Sequence, residues 1–282
     1  MNTSTSARVS EPGTSWAVAD PAELALRIRL RAVQMVAPQG FGYLGQALSA
    51  AEQVAAVFSV AQPGRDRLIC SPGHYVIAPF AAAIELGLLS TEMAAAYGQN
   101  GSPIEAIGTE RSPILDYTCG SLGQGLSAAV GFALSGYLLD SRERVFALVS
   151  DGELEEGQLW EAAMFAAHHR LDRLTVLLDA NNSQVDGPVD SITTIEPIAE
   201  KWRSFGWHAL DIDGHDIDVV RAALAAADEV TTRPSVLICR TSTVHGIDCL
   251  PPDADGHFIK LPPDLATAAT AELTAKLEAL HA

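Results

Sequence analysis

The chain has 282 residues, 48% of them apolar, with 18 Lys and Arg against 35 Asp and Glu and a formal net charge of −17. That length and apolar content can bury one large α/β core or two ordinary ones, while the acidity and the scattered arginines exclude a nucleic-acid partner. The longest mostly apolar stretches, 76–89 and 127–139, are too short to span a bilayer, so no membrane role is expected.

Residues 1–19 are rich in Ser, Thr, Pro and Gly and are expected to form a flexible arm; they lack the apolar core of a signal peptide. Asp20, Pro21 and Glu23 then read as a helix start, with a helix running to about residue 36. Ser49-Ala50-Ala51-Glu52 repeats the capping pattern and predicts a second helix to about residue 60. A short strand is expected at 67–70, helices at 75–88 and 91–98, a long loop over 99–120 and a helix over 122–139. In the second half, β-rich runs at 145–150, 174–179, 208–212 and 235–240 alternate with helical patterns at 157–169, 194–205 and 216–228, and a last helix starts at about 265. This alternation predicts an α/β fold with a mainly parallel sheet flanked by helices on both faces. No linker divides the chain, so residues 20–282 read as one domain. The four cysteines (Cys70, Cys119, Cys239, Cys249) form no C-x-x-C pair, which suits reduced thiols in the cytoplasm.

The chemistry concentrates after two strands. Asp151-Gly152 ends the 145–150 run, and Asp179-Ala180-Asn181-Asn182-Ser183 ends the run from 174. Ligands of an open parallel sheet collect beyond the carboxyl ends of its strands, so Asp151 and Asn181 are expected to face one crevice. A carboxylate, an amide oxygen and a nearby main-chain carbonyl suit a hard divalent cation that keeps places for phosphate oxygens and water. Either dipeptide alone would be an ordinary turn; the pairing at two strand ends is what points to a site. His168, His169 and His245 are given no role, because adjacent histidines on a helix point in different directions.

The run Ser150-Asp151-Gly152-Glu153-Leu154-Glu155-Glu156-Gly157, followed by Asp179-Ala180-Asn181-Asn182-Ser183, resembles the thiamine diphosphate motif G-D-G…N-N, and more narrowly the transketolase family. Three further segments carry the resemblance: Thr118-Cys119-Gly120-Ser121-Leu122-Gly123-Gln124-Gly125, Asp66-Arg67-Leu68-Ile69-Cys70-Ser71-Pro72-Gly73-His74, and Asp213-Gly214-His215-Asp216. By this resemblance Asp151, Asn181 and the main-chain carbonyl of Ser183 would ligate Mg²⁺ or another divalent cation, and Gly152 would lie at the diphosphate. Gly120, Ser121, Leu122 and Glu153 would belong to the cofactor site, although by residue type alone Glu153, like Glu155, reads as exposed charge. His74 and His257 would lie near the diphosphate and the reacting carbon. Glu156 would meet a glutamate of the partner subunit, its plainer reading being an acid at a helix N-terminus.

The same resemblance implies a missing half. Members of the family bind thiamine diphosphate between this kind of domain and a pyrimidine-binding domain, so a C-terminal partner subunit, a heterotetramer and sugar or sugar-phosphate substrates are expected. Gly42-Tyr43-Leu44-Gly45 aligns with the family's G-H-P-G, which puts Tyr43 where the family has a histidine near the reacting carbon. Two alternatives stay open: the α subunit of a 2-oxoacid dehydrogenase, and a non-catalytic subunit that only binds a partner.

Overall fold

A computed structural model describes residues 16, 18–141, 143–251 and 254–282. The expected N-terminal arm lies almost wholly outside them. Helix α1 (Pro21–Val36) starts as expected: the Asp20 carboxylate accepts the N–H groups of Ala22 and Glu23, and Pro21 fills the first turn. After the two-residue strand β1 (Phe41–Gly42) comes α2 (Leu44–Val60), which corrects the expected start at Ser49. Ser49 and Glu52 do not cap the helix; both are buried inside it and face tertiary partners.

The chain continues through β2 (Arg67–Pro72), α3 (Ile77–Glu85), α4 (Glu92–Ala95), β3 (Tyr117–Cys119), α5 (Gln124–Leu138), β4 (Val145–Ser150), α6 (Gly157–His168) and β5 (Leu174–Ala180). It ends with β6 (Ser183–Gln184), β7 (Gly187–Pro188), α7 (Val189–Ile192), α8 (Ile198–Ser204), β8 (His208–Asp213), α9 (Ile217–Asp228), β9 (Ser235–Arg240), β10 (Ile259–Lys260) and α10 (Pro263–Leu280). Helices α3, α4 and α8 are shorter than their sequence patterns. Residues 99–120 are not loop throughout, since β3 adds an edge strand there. The helix expected from 194 begins only at Ile198, with Pro197 as its extended N-cap residue.

Six strands form one parallel sheet in the order β3-β2-β4-β5-β9-β8. Alternate residues face opposite layers, as the period of a strand requires. Leu68, Cys70, Phe146, Leu148, Leu177 and Leu237 join one core with α1, α2, α3, α9 and α10. Ile69, Val145, Ala147, Val176, Leu178 and Ile238 join the other with α5, α6 and α8. The register sets Ser150 beside Asp179 and Ala180 beside Arg240, so the carboxyl ends of the central strands finish level with one another.

One buried ion pair ties α1 to α2. Arg29 donates to both carboxylate oxygens of Glu52, at 2.7 and 2.6 Å, and His215 Nδ1 lies 3.3 Å from Glu52 Oε2. His215 Nε2 accepts the Ser242 N–H at 2.8 Å, so the ring proton is on Nδ1 and faces Glu52. Glu52, His215 and His245 bring ligand atoms within 4.8 Å of one another, but the guanidinium and the Ser242 N–H already engage this group. It is an ion-pair network. Burial pushes the Glu52 pKa up, yet the His215 and Arg29 hydrogen bonds and charges hold it down at about 2, against 4.5 ordinarily. The pair therefore stabilises the fold above pH 4.5 and loses that contribution, about 3 kcal/mol, as pH falls toward 2. Urea titrations across that window should show a shallower pH dependence of stability in Glu52→Gln than in the wild type; an identical slope would contradict the assignment.

Candidate active site

The loops that follow β2, β4, β5 and β9 converge at the carboxyl edge of the sheet. Asp151, directly after β4, is 2% exposed. Its Oδ1 accepts the Gly152 N–H at 2.9 Å and its Oδ2 accepts the Asn182 N–H at 2.6 Å. Burial first, and then the charge of Asp179, push its carboxyl up to about 7. A cavity of about 310 Å³ opens beside it, lined also by Asn182, Asp190, Thr194, Glu196 and Arg240. The one basic residue of that wall, Arg240, is already held by both carboxylate oxygens of Asp211, at 2.9 and 2.7 Å. Asp151 is thus a buried carboxylate with main-chain hydrogen bonds but no cationic partner among the described residues. Such a group is stabilised by a metal ion.

Beneath it, Asp179 organises the floor. It is the one charged residue of β5, is fully buried, and accepts from Ser49 Oγ (2.6 Å), Gln53 Nε2 (2.8 Å), Tyr75 Oη (2.9 Å), Asn181 Nδ2 (2.7 Å) and Thr241 Oγ1 (2.6 Å). Asn181 also donates to the Tyr75 hydroxyl at 2.8 Å, while its amide oxygen accepts the Ser183 N–H at 2.9 Å. The Asp179 network fixes the Asn181 side chain with its oxygen toward the residues after β5. Sequence reasoning named Asp179 only as a strand end. A lone acid in a seven-residue, fully buried strand was the signal that it must be paired.

Tyr43, His74, His257 and Phe258 form a cluster of rings above this floor. Centroid separations are 5.2 Å for Tyr43–His74, 5.8 Å for Tyr43–His257, 5.0 Å for His74–His257 and 5.2 Å for Tyr43–Phe258. Residues 43, 74 and 257, far apart in sequence, are therefore brought together. Burial, reinforced by His257, lowers the His74 pKa to about 3. Burial also lowers that of His257, against Asp255 and the Ser183 main chain. His74 is thus a neutral imidazole at pH 7. The loop carrying His257 comes so close to α2 that a Cβ on Gly45 would fall 1.9 Å from the Gly256 carbonyl oxygen.

Gly120, Ser121 and Leu122 lie in the turn between β3 and α5, the first two exposed and Leu122 half-buried. Gly152 is half-buried, and a Cβ there would meet nothing nearer than Gln184 Cβ at 3.7 Å. Glu153 corrects the reading of exposed charge: it is fully buried. It accepts from Ser71 Oγ (2.6 Å) and from the N–H groups of Gly123 (2.8 Å) and Ser150 (3.1 Å). Its carboxylate ties the ends of β2 and β4 to the turn before α5. Burial raises its pKa to about 7 against those hydrogen bonds. Glu155 is exposed as expected, and Glu156, also exposed, stands at the N-terminal end of α6. Gly123 has φ +80°, and a Cβ on it would lie 2.8 Å from Glu156 Cβ, so glycine is required where the two turns meet.

Residues 21–258 match the family model for the transketolase thiamine diphosphate binding domain. The chain belongs to the transketolase family. It is 38% identical over 252 residues to an uncharacterized transketolase family protein of Sinorhizobium fredii, covering 86% of this chain and 90% of that one. It is 36% identical over 256 residues to the 6-deoxy-6-sulfo-D-fructose transketolase subunit SqwG of a Clostridium species, covering 87% and 93%. Transketolase from Campylobacter jejuni has the same fold, with a TM-score of 0.83 at 24% identity over 90% of this chain. The chain spans only 42% of that longer transketolase. The expected α/β fold with a parallel sheet between helical layers is therefore that of the transketolase family.

Proposed function

We propose that the chain is the diphosphate-binding subunit of a two-component transketolase, which moves a two-carbon ketol unit from a ketose or ketose phosphate to an aldehyde or aldose acceptor. The observation that carries the reading is Asp151: a buried carboxylate at a strand end, without a basic partner among the described residues, beside the oriented amide of Asn181. Asp151, Asn181 and the Ser183 carbonyl would hold Mg²⁺ or a similar divalent cation against a diphosphate. Gly152 leaves room for the phosphates, and Gly120, Ser121 and Leu122 would border the aminopyrimidine. When bound, thiamine diphosphate supplies the electron sink that stabilises a two-carbon carbanion. The neutral rings of His74 and His257 would donate hydrogen bonds to donor oxygens, and Tyr43 would shape which donor fits. Glu153 would hold the frame, its oxygens being engaged by Ser71, Gly123 and Ser150.

A second chain with a pyrimidine-binding domain would complete the site, with Glu156 at the contact. The near-complete coverage of a relative that is itself named a subunit supports this. So does the apolar surface left by α5 and α6, where Tyr137, Leu138, Leu139, Met164 and Phe165 are 64, 72, 76, 49 and 42% exposed. Two copies of each subunit, a heterotetramer, would cover it. The four cysteines are free, which suits the cytoplasm. The family match sets aside the 2-oxoacid dehydrogenase alternative, while a subunit without catalysis would have no use for a cation site. Calorimetric titration of the two-chain complex should show thiamine diphosphate binding that disappears when EDTA removes the divalent cation. Equal binding with and without the cation would overturn the proposed site.

A further inference from the structure

Gln46, the third residue of α2, is 1% exposed. Its Nε2 lies 3.1 Å from the main-chain oxygen of His257 and 3.3 Å from Nδ1 of the same residue's ring. A carbonyl oxygen only accepts, so the atom facing it is the amide NH₂ and the amide oxygen is turned away. The NH₂ has a second hydrogen, and Nδ1 is the atom that can take it. Nδ1 is then the unprotonated ring nitrogen, and the ring proton sits on Nε2.

The amide oxygen that results is buried and has no partner among the described residues. An alanine or methionine here would bury no such oxygen. The polar contribution of Gln46 is therefore made by its NH₂ alone, and both of its contacts are to His257. The backbone beneath the ring is held separately: Asp255 Oδ1 accepts the N–H groups of His257 (3.0 Å) and Phe258 (3.3 Å). Tyr43 and His74 meet the imidazole as ring neighbours at 5.8 and 5.0 Å between centroids, with no hydrogen bond to it. The Ser183 main chain also acts on the ring, raising its pKa as an acceptor of a ring N–H does; the Gln46 amide is the group that faces Nδ1.

We infer that Gln46 is a positioning residue that holds His257 as the Nε2–H tautomer, making it a hydrogen-bond donor to donor-substrate oxygens rather than a base. What His257 meets rests on the proposed function; the tautomer is a property of the chain alone.

Long-range ¹H–¹⁵N NMR of the full chain carrying ¹⁵N-histidine reads the protonated nitrogen, at about pH 8, where a histidine of ordinary pKa near 6.5 is neutral. The signal lost in His257→Ala assigns the ring. An Nε2–H ring in the wild type, becoming a mixture of tautomers in Gln46→Met, is the expected result. An Nδ1–H ring in the wild type overturns the inference without need of any variant, as does an Nε2–H ring that Gln46→Met leaves unchanged. In the two-chain enzyme, Gln46→Met should lower kcat ~10-fold, the scale for a residue that orients another, with cofactor affinity unchanged. Added to His257→Ala it should cost nothing more, whereas additive losses would show that Gln46 does not act through His257. The expected tautomers in a pair that transfers no ketol unit would support the inference and count against the proposed function.

Discussion

Asp151→Ala should abolish cation-dependent binding of thiamine diphosphate in the proposed two-chain complex; this is the largest effect expected of any single substitution in the chain. The proposed cation shell has one carboxylate, and the other two groups, the Asn181 amide and the Ser183 carbonyl, are neutral. Removing the only charge should therefore cost more than the ~10–100-fold that follows loss of a residue supporting a metal ligand. Asn181→Ala should weaken binding less, because a neutral amide contributes less to holding a divalent ion. Unfolding would not explain the loss. Burial beside Asp179 pushes the Asp151 carboxyl up to about 7, above its unfolded value of 3.8, so its ionisation destabilises the cation-free chain progressively as pH rises between those values. Asp151→Asn, which removes the charge but keeps an acceptor, should melt at or above the wild-type temperature near pH 8 and still fail to bind. Calorimetry that returned wild-type cofactor affinity for both Asp151→Ala and Asn181→Ala would remove these residues from the site.

His257→Ala should lower kcat by ~10²–10⁴, the range for a positioned proton donor or acceptor, while thiamine diphosphate still binds. The ring lies 5.0 Å from His74 and 5.8 Å from Tyr43, centroid to centroid, so the three side chains border one space. Tyr43 is different in kind. A phenol is neutral and weakly acidic where an imidazole would titrate near neutrality. Tyr43→His should accordingly redistribute kcat/KM among ketose donors more than it changes cofactor affinity. Steady-state kinetics with two donors decide both points. Equal losses for both donors in Tyr43→His would make the residue structural, and an unchanged kcat in His257→Ala would take His257 out of the mechanism.

The sheet was legible in the sequence because its four longest strands after residue 140 are short, β-rich and flanked by turn residues, and buried parallel strands need no other pattern. Strand β3 was not, since Tyr117–Cys119 is three residues inside a polar loop and its strand character comes from pairing with β2. Helix α2 was misjudged at its start for a related reason. Ser49 and Glu52 have the chemistry of a capping pair, but Ser49 donates to Asp179 and Glu52 receives Arg29, partners 130 and 23 residues away. Local spacing cannot report such bonds. Glu153 shows the same limit: a run of acids reads as a solvated face until the fold places Ser71, Gly123 and Ser150 around one of them.

For the proposed site, spacing singled out Asp151 and Asn181 with a main-chain carbonyl after them, and the resemblance named Ser183 and the 120–125 turn; all lie within short contiguous segments. The resemblance added His74, Tyr43 and His257, which only the fold brings together. Gln46 and Asp179 were passed over, because each earns its place through bonds that cross the chain and neither stands out in a local pattern. In a protein of this fold, the supporting shell of the site is the part that sequence inspection reaches last.

The central claim is that one polypeptide here carries half of an active site. It is tested most directly by assaying two-carbon transfer from a ketose donor with the purified chain, with a cognate subunit bearing a pyrimidine-binding domain, and with their mixture, all with thiamine diphosphate and Mg²⁺. Transfer by the mixture, with little or none by either chain alone, is the result expected. Robust turnover by the purified chain on its own would contradict the account.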